Sequence, residues 1–311
     1  MGLKAGVVGA GYLGRHHARI YSGLDGVELA AVVDLDAGRA EEVAGQYGGK
    51  AYADYRDVLG KLDAVSVVTP TETHFQVAMD FLSAGADVLV EKPMTSTVAE
   101  ADGLIDEARR RGAVLQVGHL ERYNPAVAAA AGLLESPVLF EAERISPFLE
   151  RAAGVDVTMD LMIHDIDVIM SLLEGSGRSP RVRGLKAAGT RVVSGKIDVA
   201  MAWIEFEGGV TAALYANRIS KERRRALRIY QKERHLAVDY QSKELEIFYG
   251  NSGGLVSEPV PVKDREPLKE ELVDFIDCVR GRKCPRVSGQ EGRDALEAAL
   301  QVTEMIYRTA Q

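Results

Sequence analysis

Between residues 4 and 119, five runs that are apolar throughout alternate with stretches of helical periodicity. No other feature limits the fold of this chain as much. The apolar runs are 4–11 (KAGVVGAG), 27–34, 64–70, 87–93 and 114–119. The stretches 13–24, 37–48, 73–85 and 97–112 have helical spacing, and Gly48–Gly49 and Gly85 supply stops. Strands apolar on both faces, separated by amphipathic helices, require a parallel sheet covered on both sides. Right-handed crossovers make that sheet doubly wound. After about residue 120 the pattern changes to one helix, 157–174, and then long strands at 180–189, 196–208, 210–220, 225–233 and 235–250. Short turns such as Glu207-Gly208-Gly209 join them. Helices at 268–281 and 292–310 close the chain. The expectation is an α/β domain over 1–120, followed by an α+β domain over 121–311 with an open-faced mixed or antiparallel sheet.

The first strand runs into Gly9-x-Gly11-x-x-Gly14, and a helix opens there. Asp34 ends the second strand, twenty residues after Gly14. Together these meet the context of a Rossmann dinucleotide fingerprint. Gly9 permits the tight turn, Gly11 lets the backbone approach a pyrophosphate, and Gly14 allows close helix–strand packing. The helix start, at Tyr12 and Leu13, offers N–H groups to the phosphates. Asp34 accepts from ribose hydroxyls and repels a 2′-phosphate, which favours NAD over NADP. Arg39 is the opposing signal, since it is within reach of a 2′-phosphate.

Ligands of open α/β sheets lie outside the carboxyl ends of the strands. The third strand ends in TPTETH (69–74), the fourth in EKP (91–93) and the fifth in GHLERYNP (118–125). Thr69, Pro70, His74, Glu91 and Lys92 are therefore cofactor-site candidates. Pro93 restricts the chain just after Lys92, so that the ammonium is held in the cleft where a nicotinamide ring belongs. On the helix 157–174, Asp160 and His164 are spaced i, i+4 and share a face, which Asp167 continues. Asp165 points elsewhere and reads as solvated or structural.

The net charge of −8 argues against nucleic acid or an acidic membrane as a general partner. Cys278 and Cys284 have no neighbours at metal-ligand spacing, so no metal site is expected, and free thiols suit a reducing cytoplasm. No apolar run approaches a membrane span, and the first residues lack the layout of a signal peptide. In the strand around 197–206, Ile197, Val199, Met201 and Trp203 form one face, and Ala200, Ala202, Ile204 and Phe206 the other. The domain has too few helices to cover both. One sheet face is therefore expected to be buried against another subunit.

GAGYLG, TPTETH, EKP and Asp160-x-x-x-His164, in that order, resemble the glucose–fructose oxidoreductase, inositol dehydrogenase and MocA-like (Gfo/Idh/MocA) family. GHLERYNPAV (118–127) and MDLMIHDIDVI (159–169) are similar to its nucleotide-sugar 3-dehydrogenases. The resemblance implies NAD-dependent oxidation of a secondary sugar hydroxyl to a ketone, at C3 of a UDP-N-acetylated sugar such as UDP-N-acetylglucosamine. A free sugar, an inositol or a related polyol is the alternative substrate, and a dinucleotide-binding regulator without turnover is a further reading. By resemblance Lys92 is the catalytic lysine, His164 the catalytic histidine and Asp160 a substrate-binding acid. Arg122 and Asn124 then line the substrate pocket, against the plainer reading of Asn124 as a helix cap before Pro125. A homodimer or homotetramer through the second-domain sheet is implied, with helix 292–310 packed back on the first domain. A diphosphate also needs cations, and Arg144, Arg151, Arg218 and the run 221–228 are the candidates. Oxidation requires a base near neutrality. Burial beside a positive ring disfavours an ammonium, and a histidine starts close to that range.

Overall fold

The computed structural model describes residues 2–150 and 153–309, which form two compact units. The first comprises residues up to Leu120 together with Glu266–Arg293, and the second Glu121–Arg265 together with the residues from Asp294 onward.

The first unit is built on β1 (Leu3–Val8), β2 (Val27–Val33), β3 (Lys50–Tyr52), β4 (Ala64–Val67), β5 (Asp87–Glu91) and β6 (Leu115–Gly118). All its strand pairs are parallel, in the order β3-β2-β1-β4-β5-β6. Crossovers run through α1 (Tyr12–Ser22), α2 (Ala37–Tyr47), α3 (Thr71–Ser83) and α4 (Val98–Arg111). β4 and β5 are buried at every position, as central strands covered on both faces must be. α4 opens with a capping box between Thr97 and Glu100 and stops at the left-handed Gly112.

The second unit holds α5 (Pro125–Ala131), β7 (Pro137–Ile145), α6 (Ile163–Gly175), β8 (Val182–Thr190), β9 (Val199–Phe206), β10 (Thr211–Asn217), β11 (Arg224–Gln231), β12 (Arg234–Asp239), β13 (Glu244–Asn251) and β14 (Gly254–Pro259). Its eight strands run β14-β13-β12-β11-β7-β10-β9-β8, antiparallel except for β7 beside β10. Phe140, Ala142, Ile204, Leu214, Leu227 and Ile229 are buried on one face of this sheet. On the other face, Lys186, Trp203 and Ala213 form one cross-strand row, and Ala188, Met201 and Tyr215 the next. Met201 is 60% exposed there and Trp203 40%. Ile197, expected on that face, is buried instead. It precedes β9, and its N–H donates to the carboxylate of Asp156 at 2.8 Å.

The closing helices, α7 (Pro267–Gly281) and α8 (Gly289–Thr309), divide between the two units. α7 joins the first unit, where Leu272, Phe275 and Ile276 share a core with Ala18, Tyr21 and Leu29. From Asp294 onward α8 groups with the second unit. Thr303 Oγ1 is 2.5 Å from Thr158 Oγ1, and the Tyr307 hydroxyl donates to Asp156 at 2.7 Å.

Candidate active site

In the first unit, the three glycines of the fingerprint differ in what requires them. Gly9 has φ +98°, and a Cβ on it would meet the Val68 carbonyl oxygen at 2.4 Å. A Cβ on Gly14 would lie 1.7 Å from the Gly9 oxygen. Packing alone explains both. At Gly11 a Cβ would meet no atom within 4 Å, so the protein's own packing does not call for a glycine there. Close approach by a dinucleotide does, and the site passes this test of fit for NAD. Asp34 closes the turn by accepting from the Ala10 N–H at 2.8 Å. Its other oxygen accepts from the Asp36 N–H at 2.9 Å, and Arg39 Nη1 lies 3.4 Å from both oxygens. Arg39 is thus turned toward Asp34 and Asp36. Tyr12 is exposed, edge-on to His16, while Leu13 packs on the core beneath. Leu35, which the sequence reading passed over, is 95% exposed. It stands between Asp34 and Asp36, just beyond the end of β2.

A second group gathers at the ends of β4, β5 and β6. His74 is enclosed, with Nδ1 2.9 Å from the Pro93 carbonyl oxygen and Nε2 2.7 Å from that of Thr69. Burial holds its pKa below the ordinary value, against the pull of the two carbonyls. His74 is therefore a tie between two strand ends and not a surface for the cofactor, as its place in the motif had suggested. Thr69 is braced further by the Thr73 hydroxyl at 2.7 Å, and exposed Pro70 starts α3. Glu91 is buried and accepts from the Lys92 N–H at 3.2 Å. The wholly buried His17 brings Nε2 to 3.4 Å from the Glu91 carboxylate. A Cβ on Gly118 would press on that carboxylate at 2.8 Å, so Gly118 makes room for it. Lys92 itself is half-buried.

In the second unit, Asp160 lies in a π-helical turn, Thr158–Met162, that leads into α6, and His164 is the second residue of α6. The i, i+4 spacing alone predicts continuous α-helix here. π-turns are rare and concentrate at functional sites. Asp160 and His164 are half-buried, whereas Asp165 and Asp167 are buried. Asp165 accepts from Arg144 Nε at 3.0 Å and Nη2 at 2.8 Å, and Asp167 is 3.3 Å from Arg122 Nη1. Upstream, Asp156 holds the Ile197 N–H, and Arg218 donates to the Val155 carbonyl. The segment carrying Asp160 and His164 is thus pinned at both ends by buried charges.

Several expected ligand residues are engaged in this scaffold. Asn124 is buried and caps α5. Its Oδ1 accepts from the Ala126 N–H at 3.1 Å, and its Nδ2 donates to Glu121 at 3.2 Å and to the Tyr240 carbonyl at 3.0 Å. Both of its N–H donors are used within the protein, and the side chain is buried, so Asn124 acts as a cap and tie. Arg122 is enclosed beside Asp167 and does not stand open in a pocket. Arg144, 1% exposed, also donates to Glu121 at 2.9 Å, and buried Arg218 donates to Asp198 at 2.9 Å. Both are removed as diphosphate ligands by these carboxylates. Arg151 lies outside the described residues. No group of three or more His, Cys, Asp or Glu that could hold a metal ion occurs among the described residues.

Residues 3–119 match the model of the Gfo/Idh/MocA oxidoreductase family, NAD-binding Rossmann fold, and residues 133–236 match that family's C-terminal domain. The chain belongs to the Gfo/Idh/MocA family. As a member it is an oxidoreductase with an NAD-binding first domain, as the glycine turn and Asp34 require. Among its relatives in this family, it is 39% identical over 308 residues to UDP-N-acetylglucosamine 3-dehydrogenase of Acidithiobacillus ferrooxidans, covering 96% of each chain. It is 28% identical to scyllo-inositol 2-dehydrogenase (NAD(+)) of Bacillus subtilis, covering 97% of this chain and 93% of that one. A solved structure of the Acidithiobacillus enzyme superposes with a TM-score of 0.92 at 37% identity, covering 100% of both chains. Levoglucosan dehydrogenase in complex with NADH and levoglucosan shares the Gfo/Idh/MocA fold, with a TM-score of 0.87 at 17% identity over 99% of this chain and 98% of that one. No helix among the described residues is long and apolar enough to cross a membrane.

Proposed function

We propose that this enzyme oxidises the C3 hydroxyl of UDP-N-acetylglucosamine, or of a close UDP-N-acetylated sugar, to the ketone. The observation that carries this reading is the match to UDP-N-acetylglucosamine 3-dehydrogenase across 96% of both chains, substrate domain included. NAD held at the Gly9–Gly14 turn and Asp34 would supply the acceptor for the hydride of the carbinol carbon. Lys92 and His164 take up the hydroxyl proton as the carbonyl forms, and Asp160 orients the hydroxyl for them. Half-burial of all three suits groups that meet a substrate, and the clamps on Asp165 and Asp167 suit a helix that must hold His164 still. The full-length match to scyllo-inositol 2-dehydrogenase supports a polyol as the second reading.

The enzyme is further proposed to act as a homodimer or homotetramer through the open sheet face, which the exposure of Met201 and Trp203 supports. A cytoplasmic setting is supported by two free cysteines. The test is NADH formation by purified protein with NAD and a panel of UDP-sugars, myo- and scyllo-inositol and glucose, with a ketone trap present. Turnover confined to UDP-N-acetylated sugars is the expected result. Turnover on free polyols alone overturns the nucleotide-sugar reading. Lys92→Ala should abolish turnover and still bind NAD.

A further inference from the structure

Most arginines on the second sheet have a carboxylate of their own. Arg224 is 3.1 Å from Glu143, Arg228 2.8 Å from Glu141 and Arg234 2.6 Å from Glu135. Arg225 does not. It lies in register with Arg144, on the face that carries buried Leu227 and Ile229. The carboxylates near it, Asp165 and Glu121, are already engaged by Arg144, and the second oxygen of Glu121 accepts from Asn124. Arg225 is half-buried, its Nε is enclosed without an acceptor, and it forms no ion pair with any described residue. Arg223, two positions earlier and exposed, likewise has no side-chain partner among the described residues.

A guanidinium withdrawn from water and set beside like charge is unfavourable unless an anion reaches it. Burial, and then the neighbouring Arg144, hold the pKa of Arg225 below the ordinary arginine value. Its backbone is fixed by the Tyr240 N–H, which donates to the Arg225 carbonyl at 3.0 Å, and Tyr240 also lies under Arg144, 4.9 Å from ring centre to guanidinium. The strand position of Arg225 is thus fixed, and its guanidinium keeps donors to spare. Guanidinium forks match phosphate oxygens in pairs, and Arg223, exposed just before the strand, adds a second cation close in sequence.

We infer that Arg225, assisted by Arg223, seats the phosphate groups of the substrate on the second unit. This rests on the nucleotide-sugar reading and gives it a residue that discriminates a UDP-sugar from a free polyol.

The test is calorimetric titration of the full-length enzyme, saturated with NAD, by UDP and separately by inorganic phosphate. The proteins are wild type, Arg225→Gln, Arg225→Ala and Arg223→Ala. The Kd for UDP should rise at least tenfold in both Arg225 variants and by less in Arg223→Ala, with NAD affinity unchanged. Thermal stability of Arg225→Gln should hold or increase, because an unmatched cation has been removed. An arginine with only a structural role would instead give an unchanged Kd and a lower melting temperature, and that result overturns the inference while leaving the substrate reading intact. If wild type binds no UDP yet oxidises a free polyol, the substrate reading itself fails, and the inference fails with it. Arg225-dependent binding of inorganic phosphate as tight as that of UDP would keep the anion seat and remove the nucleotide as its source.

Discussion

His17 Nε2 lies 3.4 Å from Glu91 Oε1, so a wholly buried imidazole on the first helix faces the carboxylate that precedes Lys92. Glu91 also accepts from the Lys92 N–H and fills the space that Gly118 leaves open. The Lys92 N–H ties this carboxylate to the backbone from which the lysine extends, and His17 packs beside it. His17→Phe removes the polar neighbour and roughly keeps the volume. The expected outcome is a kcat about tenfold lower, corresponding to ~1.4 kcal/mol of transition-state positioning. The Kd for NAD should stay within about twofold. Steady-state kinetics beside a direct NAD titration check this, and a loss confined to NAD affinity would contradict it.

Gly11→Ala and Gly14→Ala separate packing from ligand approach. A methyl group at Gly14 collides with the Gly9 carbonyl, whereas one at Gly11 meets nothing. Gly14→Ala should lower the melting temperature and yield little folded protein. Gly11→Ala should melt like wild type without NAD and show at least a tenfold weaker Kd for it. Melting curves with and without NAD distinguish the two.

Asp198 accepts from the N–H groups of Val192, Val193 and Ser194, and pairs with buried Arg218. Burial would raise its pKa, but the Ser194, Val192 and Val193 hydrogen bonds outweigh burial and hold it well below the usual carboxylate range. Its stabilising contribution is therefore complete above the unfolded carboxylate pKa of about 4, and is lost as pH falls through the lower folded value. Asp198→Asn leaves Arg218 buried beside a neutral group and should cost about 3–5 kcal/mol. Urea unfolding at a series of pH values should show a constant gap from wild type between pH 7 and about 4, narrowing below.

The open face of the second sheet gives a prediction about assembly. Lysines at Met201 and Trp203 would replace the two large exposed apolar side chains of this face with charge. The double variant should be a monomer by light scattering, with NAD affinity retained, while wild type is a dimer or tetramer. A monomeric wild type would sink the proposed interface.

The first unit was largely legible in the sequence because its signals are local. Glycine spacing, apolar runs and helix stops each act within a few residues. β3 was missed because three residues, Lys50–Tyr52, carry no pattern. β7 escaped because its inward row ends in Arg144, a position that reads as polar until Asp165 and Glu121 are seen to neutralise it. The run 235–250 is two strands, turned at residues 240–243 without a glycine. Asp239 makes that turn by accepting from the Gln241 and Ser242 N–H groups. The same limit applied to the substrate residues. Whether an arginine is a ligand or a strut depends on carboxylates far away in sequence, as Arg218 with Asp198 and Arg122 with Asp167 show.

The placement of α7 bears on how the protein is made. Its apolar side, Leu272, Phe275 and Ile276, completes a core begun by Ala18 and Tyr21, yet the ribosome emits it after the whole of Glu121–Arg265. The nucleotide-binding half cannot finish folding when its own strands have emerged. It waits, with part of its core uncovered, until most of the polypeptide exists. A gene fragment ending at Leu120 would leave that surface bare, and such a product is expected to be insoluble even though it contains every residue of the glycine turn.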